Sequence, residues 1–235
     1  MTTPFKFKQF TVHHDRCSMK VGTDAVLLGA WVNIVNTENI LEVGAGSGVI
    51  SLMLAQRTSG EAKIEAIEIE KENAKQAQEN VAGSPWPEKI KVRHQSLQNF
   101  VASETYDLIV SNPPYFINSQ LPPSRKRSQA RHIGSLSYSE LISQSLNLLS
   151  SSGRLAVVLP FEEGKKFQSL AHINELHTIR QLSFFSRKGK PQERWLFEFS
   201  FKPNEIITES LTLHNKGEDW SDEYKKLTKE FYLKL

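Results

Sequence analysis

Leu41-Glu-Val-Gly-Ala-Gly-Ser-Gly48 reads as a strand, three alternating glycines and the start of a helix. Glycine permits a sharp turn and lets ligand atoms approach the backbone, while a helix N-terminus carries partial positive charge. The segments around this turn alternate in the same way. A short buried strand spans Ile40–Val43, a helix runs from about Val49 to Arg57, and a strand covers Lys63–Ile69. A polar surface helix follows over Glu70–Val81, with its acids at the start where the helix dipole favours them. Strands are expected at Ile90–His94 and Asp107–Val110. A helix is expected over Ser137–Leu149, where Leu141, Ile142, Leu146 and Leu149 recur at helical spacing, then a strand over Leu155–Leu159, ended by Pro160. Such alternation predicts an α/β fold, a mostly parallel sheet with helices on both faces.

Two further β-rich runs, Thr178–Phe185 and Arg194–Phe201, flank Lys188-Gly-Lys-Pro191 and read as an antiparallel hairpin. The sheet is therefore expected to have seven strands. The tail Asp219–Leu235 is amphipathic and aromatic, which predicts a helix packed back on the body. A length of 235 residues suits one domain. Its expected parts are an N-terminal extension (1–33) able to close over a ligand, a core (34–203), and a C-terminal strand and helix (204–235).

Composition excludes several classes. With 39% hydrophobic and 23% charged residues, and no apolar run near the ~20 residues that cross a bilayer, the chain reads as soluble and cytoplasmic. The opening MTTPFKFKQF lacks a secretory core. The single cysteine, Cys17, rules out an internal disulfide and reads as a packing residue in a reducing compartment. Seven histidines form no ligand pattern, so no metal is expected. A net charge of +3 does not by itself mark a polyanionic partner. Its distribution is more telling: Pro122–His132 carries Arg125, Lys126, Arg127, Arg131 and His132 without one acid. A solvated loop would explain such a run; its place near the motif described next favours phosphate binding.

Asp107-Leu-Ile-Val-Ser-Asn-Pro-Pro-Tyr115 is an apolar strand ending in an amide, two prolines and an aromatic ring. Asn112 offers a side-chain carbonyl, and Pro113 a backbone carbonyl on a stiff chain. Tyr115 offers a stacking face. Two acceptors beside a ring suit a planar –NH2 group such as the exocyclic amine of adenine. The glycine turn points to the second reactant. A dinucleotide pattern from Gly44 would want glycine at position 49, which is Val49. Glu42 also puts a carboxylate at the strand end, awkward for pyrophosphate but suited to an ammonium group. These features favour S-adenosylmethionine. Glu68, 20 residues after Gly48, can accept ribose hydroxyls, although alone it would be an ordinary surface acid.

The glycine turn with Asn112-Pro-Pro-Tyr115 resembles class I S-adenosylmethionine-dependent amino methyltransferases, which implies their Rossmann-like fold. The block Phe10–Trp31, the basic Arg125–His132 segment and the ending Leu227–Lys234 are similar to the bacterial tRNA1(Val) (adenine(37)-N6)-methyltransferase family. That resemblance implies N6 methylation of adenosine 37 in a valine tRNA anticodon loop; a monomer or weak dimer is expected. It places Lys20, Thr23 and Asp24 over the methionyl part of the cofactor, and Gly44, Gly46 and Gly48 beneath it. Glu68 and Ile69 would meet the ribose side. Ser96 and Leu97 fall where related enzymes often hold an acid against the cofactor's adenine; the serine departs from that pattern. Asn112, Pro113, Pro114, Tyr115 and Phe116 would face the target base. Protein glutamine methyltransferases, other nucleic-acid amino methyltransferases and a non-catalytic cofactor-sensing RNA-binding protein remain as alternatives.

Overall fold

In the computed structural model, residues 3–58, 60–114, 136–215 and 217–234 are described. A short hairpin, β1 (Phe5–Lys6) with β2 (Thr11–Val12), leads into helix α1 (Thr23–Trp31). The alternating core follows: β3 (Asn39–Val43), α2 (Val49–Arg57), β4 (Lys63–Glu68), α3 (Lys71–Ala82), β5 (Ile90–His94) and β6 (Tyr106–Ser111). Beyond residue 135 come α4 (Tyr138–Leu148), β7 (Leu149–Pro160), α5 (Phe161–Ile173), β8 (His177–Arg187), β9 (Gln192–Ser200), β10 (Ile207–His214) and α6 (Asp222–Thr228). Among the described residues the central sheet runs β10-β8-β9-β7-β6-β3-β4-β5. Every neighbouring pair is parallel except those involving β9, which lies antiparallel to both β7 and β8.

Alternate strand residues face opposite sides, and each side is covered by helices. Ile40, Leu108, Val110, Ala156 and Val158 join α1 and α2 in one core. Leu41, Val43, Ile109, Leu155 and Val157 join α4 and α5 in the other, around Leu141, Ile142 and Phe167. Burial on both faces is why β3, β6 and β7 read as continuous apolar runs.

Four expectations change. The sheet has eight strands, because Ile207–His214 adds an edge strand parallel to β8. The strand expected from Leu155, β7, begins at Leu149, which pairs with Tyr106 ahead of a register shift. Gly153 sits at that irregularity, where a Cβ would lie 2.6 Å from the Tyr106 carbonyl oxygen, so a glycine is required. The helix α5 was not anticipated. The tail is helical only over Asp222–Thr228, because Ser221 caps it late: its hydroxyl accepts from Tyr224 N–H at 3.0 Å. Trp220 and Tyr232 form isolated bridges to His214 and Phe7 instead of extending the helix. No helix among the described residues is long and apolar enough to cross a membrane.

The far end of α1 is held by guanidinium groups. Arg57 donates to the Gly29 and Val32 carbonyls at 2.7 and 2.9 Å, Arg180 to Trp31 O at 2.9 Å, and Arg154 to Asn33 O at 3.0 Å. Helix C-termini present unpaired carbonyls and negative dipole charge, which such cations satisfy. Burial lowers the Arg57 pKa to about 10, which leaves it charged at neutral pH. The helix is thereby fixed with its first turn toward the cleft described next.

Candidate active site

In an open α/β sheet the ligand crevice opens beyond the carboxyl ends of the strands, where strand order reverses. Here that point lies between β3 and β6. Gly44, Gly46 and Gly48 all take positive φ (77°, 55° and 79°), a turn that L side chains resist. The Gly44 and Ala45 N–H groups donate to the Ile67 carbonyl at 2.9 and 3.1 Å, which ties the turn to the end of β4. A Cβ on Gly44 or Gly46 would meet nothing within 4 Å, since both border open space. Gly48 is different. It lines neither cavity, and a Cβ there would stand 3.3 Å from that of Ala77 on α3. Its smallness serves helix packing behind the turn as well as the turn itself.

Two adjoining cavities occupy the crevice, of about 420 and about 290 Å³, and they share Met19, Gly44, Gly46 and Asn112. Together they fall in the range of small-molecule sites. The larger is bordered by Glu68, Ile69, Ser96, Leu97, Asn112, Pro113 and Pro114. The smaller is bordered by Lys20, Thr23, Asp24, Glu42 and Asn112. Tyr115, Phe116, Arg125, Lys126, Arg127, Arg131 and His132 lie outside the described residues.

The acids are buried and bonded. Glu68 accepts Gly46 N–H at 2.7 Å on one oxygen and Glu70 N–H at 2.8 Å on the other, leaving further lone pairs on each. Glu42 is 1% exposed and accepts both the N–H (2.9 Å) and the hydroxyl of Ser51. Burial pushes its pKa up to about 8 against the pull of those bonds, with the Glu68 charge adding to the rise. Ser111 donates from its hydroxyl to Val43 O at 2.8 Å and so fixes the strand end just before Asn112.

The N-terminal extension lies along the cleft because α3 holds it. Asn80 accepts His13 N–H at 2.9 Å and donates to His13 O and Ser47 O at 2.8 and 2.9 Å. Arg16 bonds Gln76 and Glu79, and Ser18 N–H meets Asn73 at 3.4 Å. Cys17, Ser18 and Met19 consequently line the larger cavity. Burial raises the Cys17 thiol to about 11, so it stays protonated at neutral pH. Sequence spacing missed the polar lining from Asn73 and Gln98, the Asn80 clamp, and Arg194, whose Nε donates to Asp24 at 2.9 Å. Asn80 had a signal: a polar residue on the buried face of an otherwise exposed helix.

Among the described residues, no three His, Cys, Asp or Glu side chains gather to hold a metal ion. The donor set fits S-adenosylmethionine instead, with open space over two backbone glycines, an acid at the end of β4, and a charged compartment for an amino-acid zwitterion.

The chain superposes on a predicted O-methyltransferase from Agrobacterium tumefaciens with a TM-score of 0.68 at 18% identity, covering 88% of this chain and 96% of the other. It also superposes on the ribosomal protein L11 methylase of Lactobacillus delbrueckii, with a TM-score of 0.55 at 19% identity over 76% and 77%. Fold and cleft together define a class I, S-adenosylmethionine-dependent methyltransferase. The methyltransferase small domain family model matches residues 18–183. Proteins named tRNA1(Val) (adenine(37)-N6)-methyltransferase match end to end: that of Bacteroides thetaiotaomicron is 43% identical and that of Bacteroides fragilis 45%, each over 100% of both chains. The chain belongs to this family of methyltransferases.

Proposed function

We propose that this chain uses S-adenosylmethionine to methylate the exocyclic N6 of an adenosine in tRNA, and that the target is adenosine 37 in the anticodon loop of tRNA1(Val). The observation that carries this reading is the placement of Asn112. It follows a strand end pinned through Ser111, precedes two prolines, and borders both cavities. An amide at that junction can address a target amine and a methyl donor together. The name shared by the relatives supports the tRNA substrate and the valine specificity.

When bound, S-adenosylmethionine supplies a methyl group on a cationic sulfur, open to in-line displacement. The protein's task is to align the reactants and exclude water. Asn112 Oδ1 and the Pro113 carbonyl would accept the two amine hydrogens, drawing the nitrogen toward tetrahedral geometry and turning its lone pair to the methyl. Proline's fixed φ holds that carbonyl in place. No strong base is needed, since the proton leaves readily once the nitrogen is alkylated. Tyr115 would stack on the base, worth ~1–3 kcal/mol. Glu68 would take the ribose hydroxyls, with Lys20, Thr23, Asp24 and Glu42 around the methionyl end, Gly44 and Gly46 as floor, and Ile69, Ser96 and Leu97 along the far side. An anticodon loop presents its base without the unpairing a duplex would require.

Asn112→Ala is expected to lower tRNA methylation ~100-fold, while calorimetric binding of S-adenosylmethionine persists. Near-normal turnover would remove Asn112 from the mechanism. Label from the cofactor accumulating on a protein amide, with none on tRNA, would overturn the substrate.

A further inference from the structure

Nothing in sequence spacing brings Arg194 to the cleft; the reversed strand does. Because β9 runs antiparallel to β7, its beginning sits at the carboxyl edge of the sheet, with Arg194 paired to Pro160. The side chain lines the smaller cavity beside Asp24, Glu42 and Asn112. Its Nε donates to Asp24 Oδ2 at 2.9 Å and its Nη1 to the Glu193 carbonyl at 3.0 Å. Asp24 stands in the first turn of α1, the helix whose other end is held by three arginines.

The smaller cavity thus has two cations, Lys20 and Arg194, and two carboxyl groups, Asp24 and Glu42. The amino-acid end of S-adenosylmethionine carries one carboxylate and one ammonium, and so does the demethylated product. Lys20 is exposed, whereas the Arg194 side chain is 28% exposed and its partner Asp24 18%. Water competes less for the more buried cation. A guanidinium also meets a carboxylate through two parallel N–H···O bonds, which an ammonium cannot do.

We propose that Arg194 binds the α-carboxylate of the cofactor, oriented by its ion pair with Asp24, and that Asp24 and Glu42 face the ammonium. The contact rests on the cofactor reading above. It makes the start of β9, far along the chain from the glycine turn, part of the cofactor site.

Calorimetry with three ligands tests it: S-adenosylhomocysteine, its carboxyl methyl ester, and 5′-methylthioadenosine, which lacks the amino-acid end. Wild-type protein should prefer the acid over the ester by about 10-fold or more. In Arg194→Met that preference should vanish through weaker acid binding, with ester and methylthioadenosine unchanged; Arg194→Lys should keep part of it. Equal wild-type affinity for acid and ester overturns the proposal, and that arm stands even if Arg194→Met does not fold. A full preference surviving in Arg194→Lys and Arg194→Met overturns it too, as does equal weakening of all three ligands, which would mark a purely structural ion pair. Wild-type protein binding none of the three would remove the cofactor reading itself, and the proposal with it.

Discussion

Glu42 lies one residue before the end of β3 with no exposed surface to speak of, and it must settle its protonation before it can meet a cation. Burial holds its pKa at about 8 with no ligand beside it. A bound ammonium favours the anion, so cofactor binding should release a proton below that pH. Affinity is expected to rise by up to about tenfold per pH unit between pH 6 and 8, then level off, and Glu42→Gln should flatten the profile. Titration calorimetry across that range checks it; a flat wild-type profile would show that Glu42 is already ionised or stays neutral throughout. In the ligand-free protein the same group links stability to pH. The folded pKa lies above the ordinary 4.5, so the unfolded chain loses its proton first, and stability falls as pH rises from about 4.5 to about 8. Other residues at this scale divide by how local their signal is. That Gly44, Gly46, Glu68 and Asn112 line the cleft was legible because turn and strand-end chemistry is written in adjacent letters. The packing of Gly48 against Ala77 was not legible, since that neighbour lies on another helix. The approach of Arg194 to the cleft was missed for the same reason: it depends on which strand the sheet reverses.

Among elements, α3 does more than cover the sheet, since its polar face carries the N-terminal extension. Asn80 joins His13 to Ser47 of the glycine turn through three hydrogen bonds at a buried position. Asn80→Ala should leave those backbone groups unsatisfied, costing about 1–3 kcal/mol for each group stranded without water. Denaturant unfolding should show the loss, and cofactor affinity should weaken with little change in turnover at saturation. Unaltered cofactor affinity would mean that the extension keeps its place without the clamp. The strands starting near Ile40, Lys63 and Ile90 were readable because apolar runs are punctuated by turn residues. The first half of β7 was not, as Ser150-Ser-Ser-Gly153 looks like a loop, and it spans the register shift between the Leu149–Tyr106 and Arg154–Leu108 pairs. In α5 an interior glycine hid the helix. Gly164 is there because a Cβ would come within 2.7 Å of the Trp195 ring. The tail misled differently. Trp220, Tyr224 and Tyr232 pack on one another, with ring centroids 4.8–6.2 Å apart, and do not form one helical stripe.

For the molecule as a whole, charge rather than shape is expected to bring RNA to the cleft. The run Arg125–Arg131 adds four cations just downstream of Asn112-Pro-Pro114. Replacing Arg125, Lys126, Arg127 and Arg131 with alanine should weaken tRNA binding and reduce the slope of log affinity against log salt by ~3. Filter binding across a salt series measures this, and an unchanged slope would assign the run to solvent. Fold class and the position of the crevice were evident from alternation and the glycine turn. The division of that crevice into two compartments was not, since it arises where an N-terminal residue, Met19, meets loops from β3 and β6.

That shared boundary has a consequence for how the donor is presented. Met19, two glycines and Asn112 belong to both compartments, so a single molecule laid across the pair, nucleoside in one and amino-acid end in the other, would carry its sulfur at the waist between them. On the function proposed above, the reactive carbon is then offered where the amide stands, and gripping the donor by its two ends is itself what aims it.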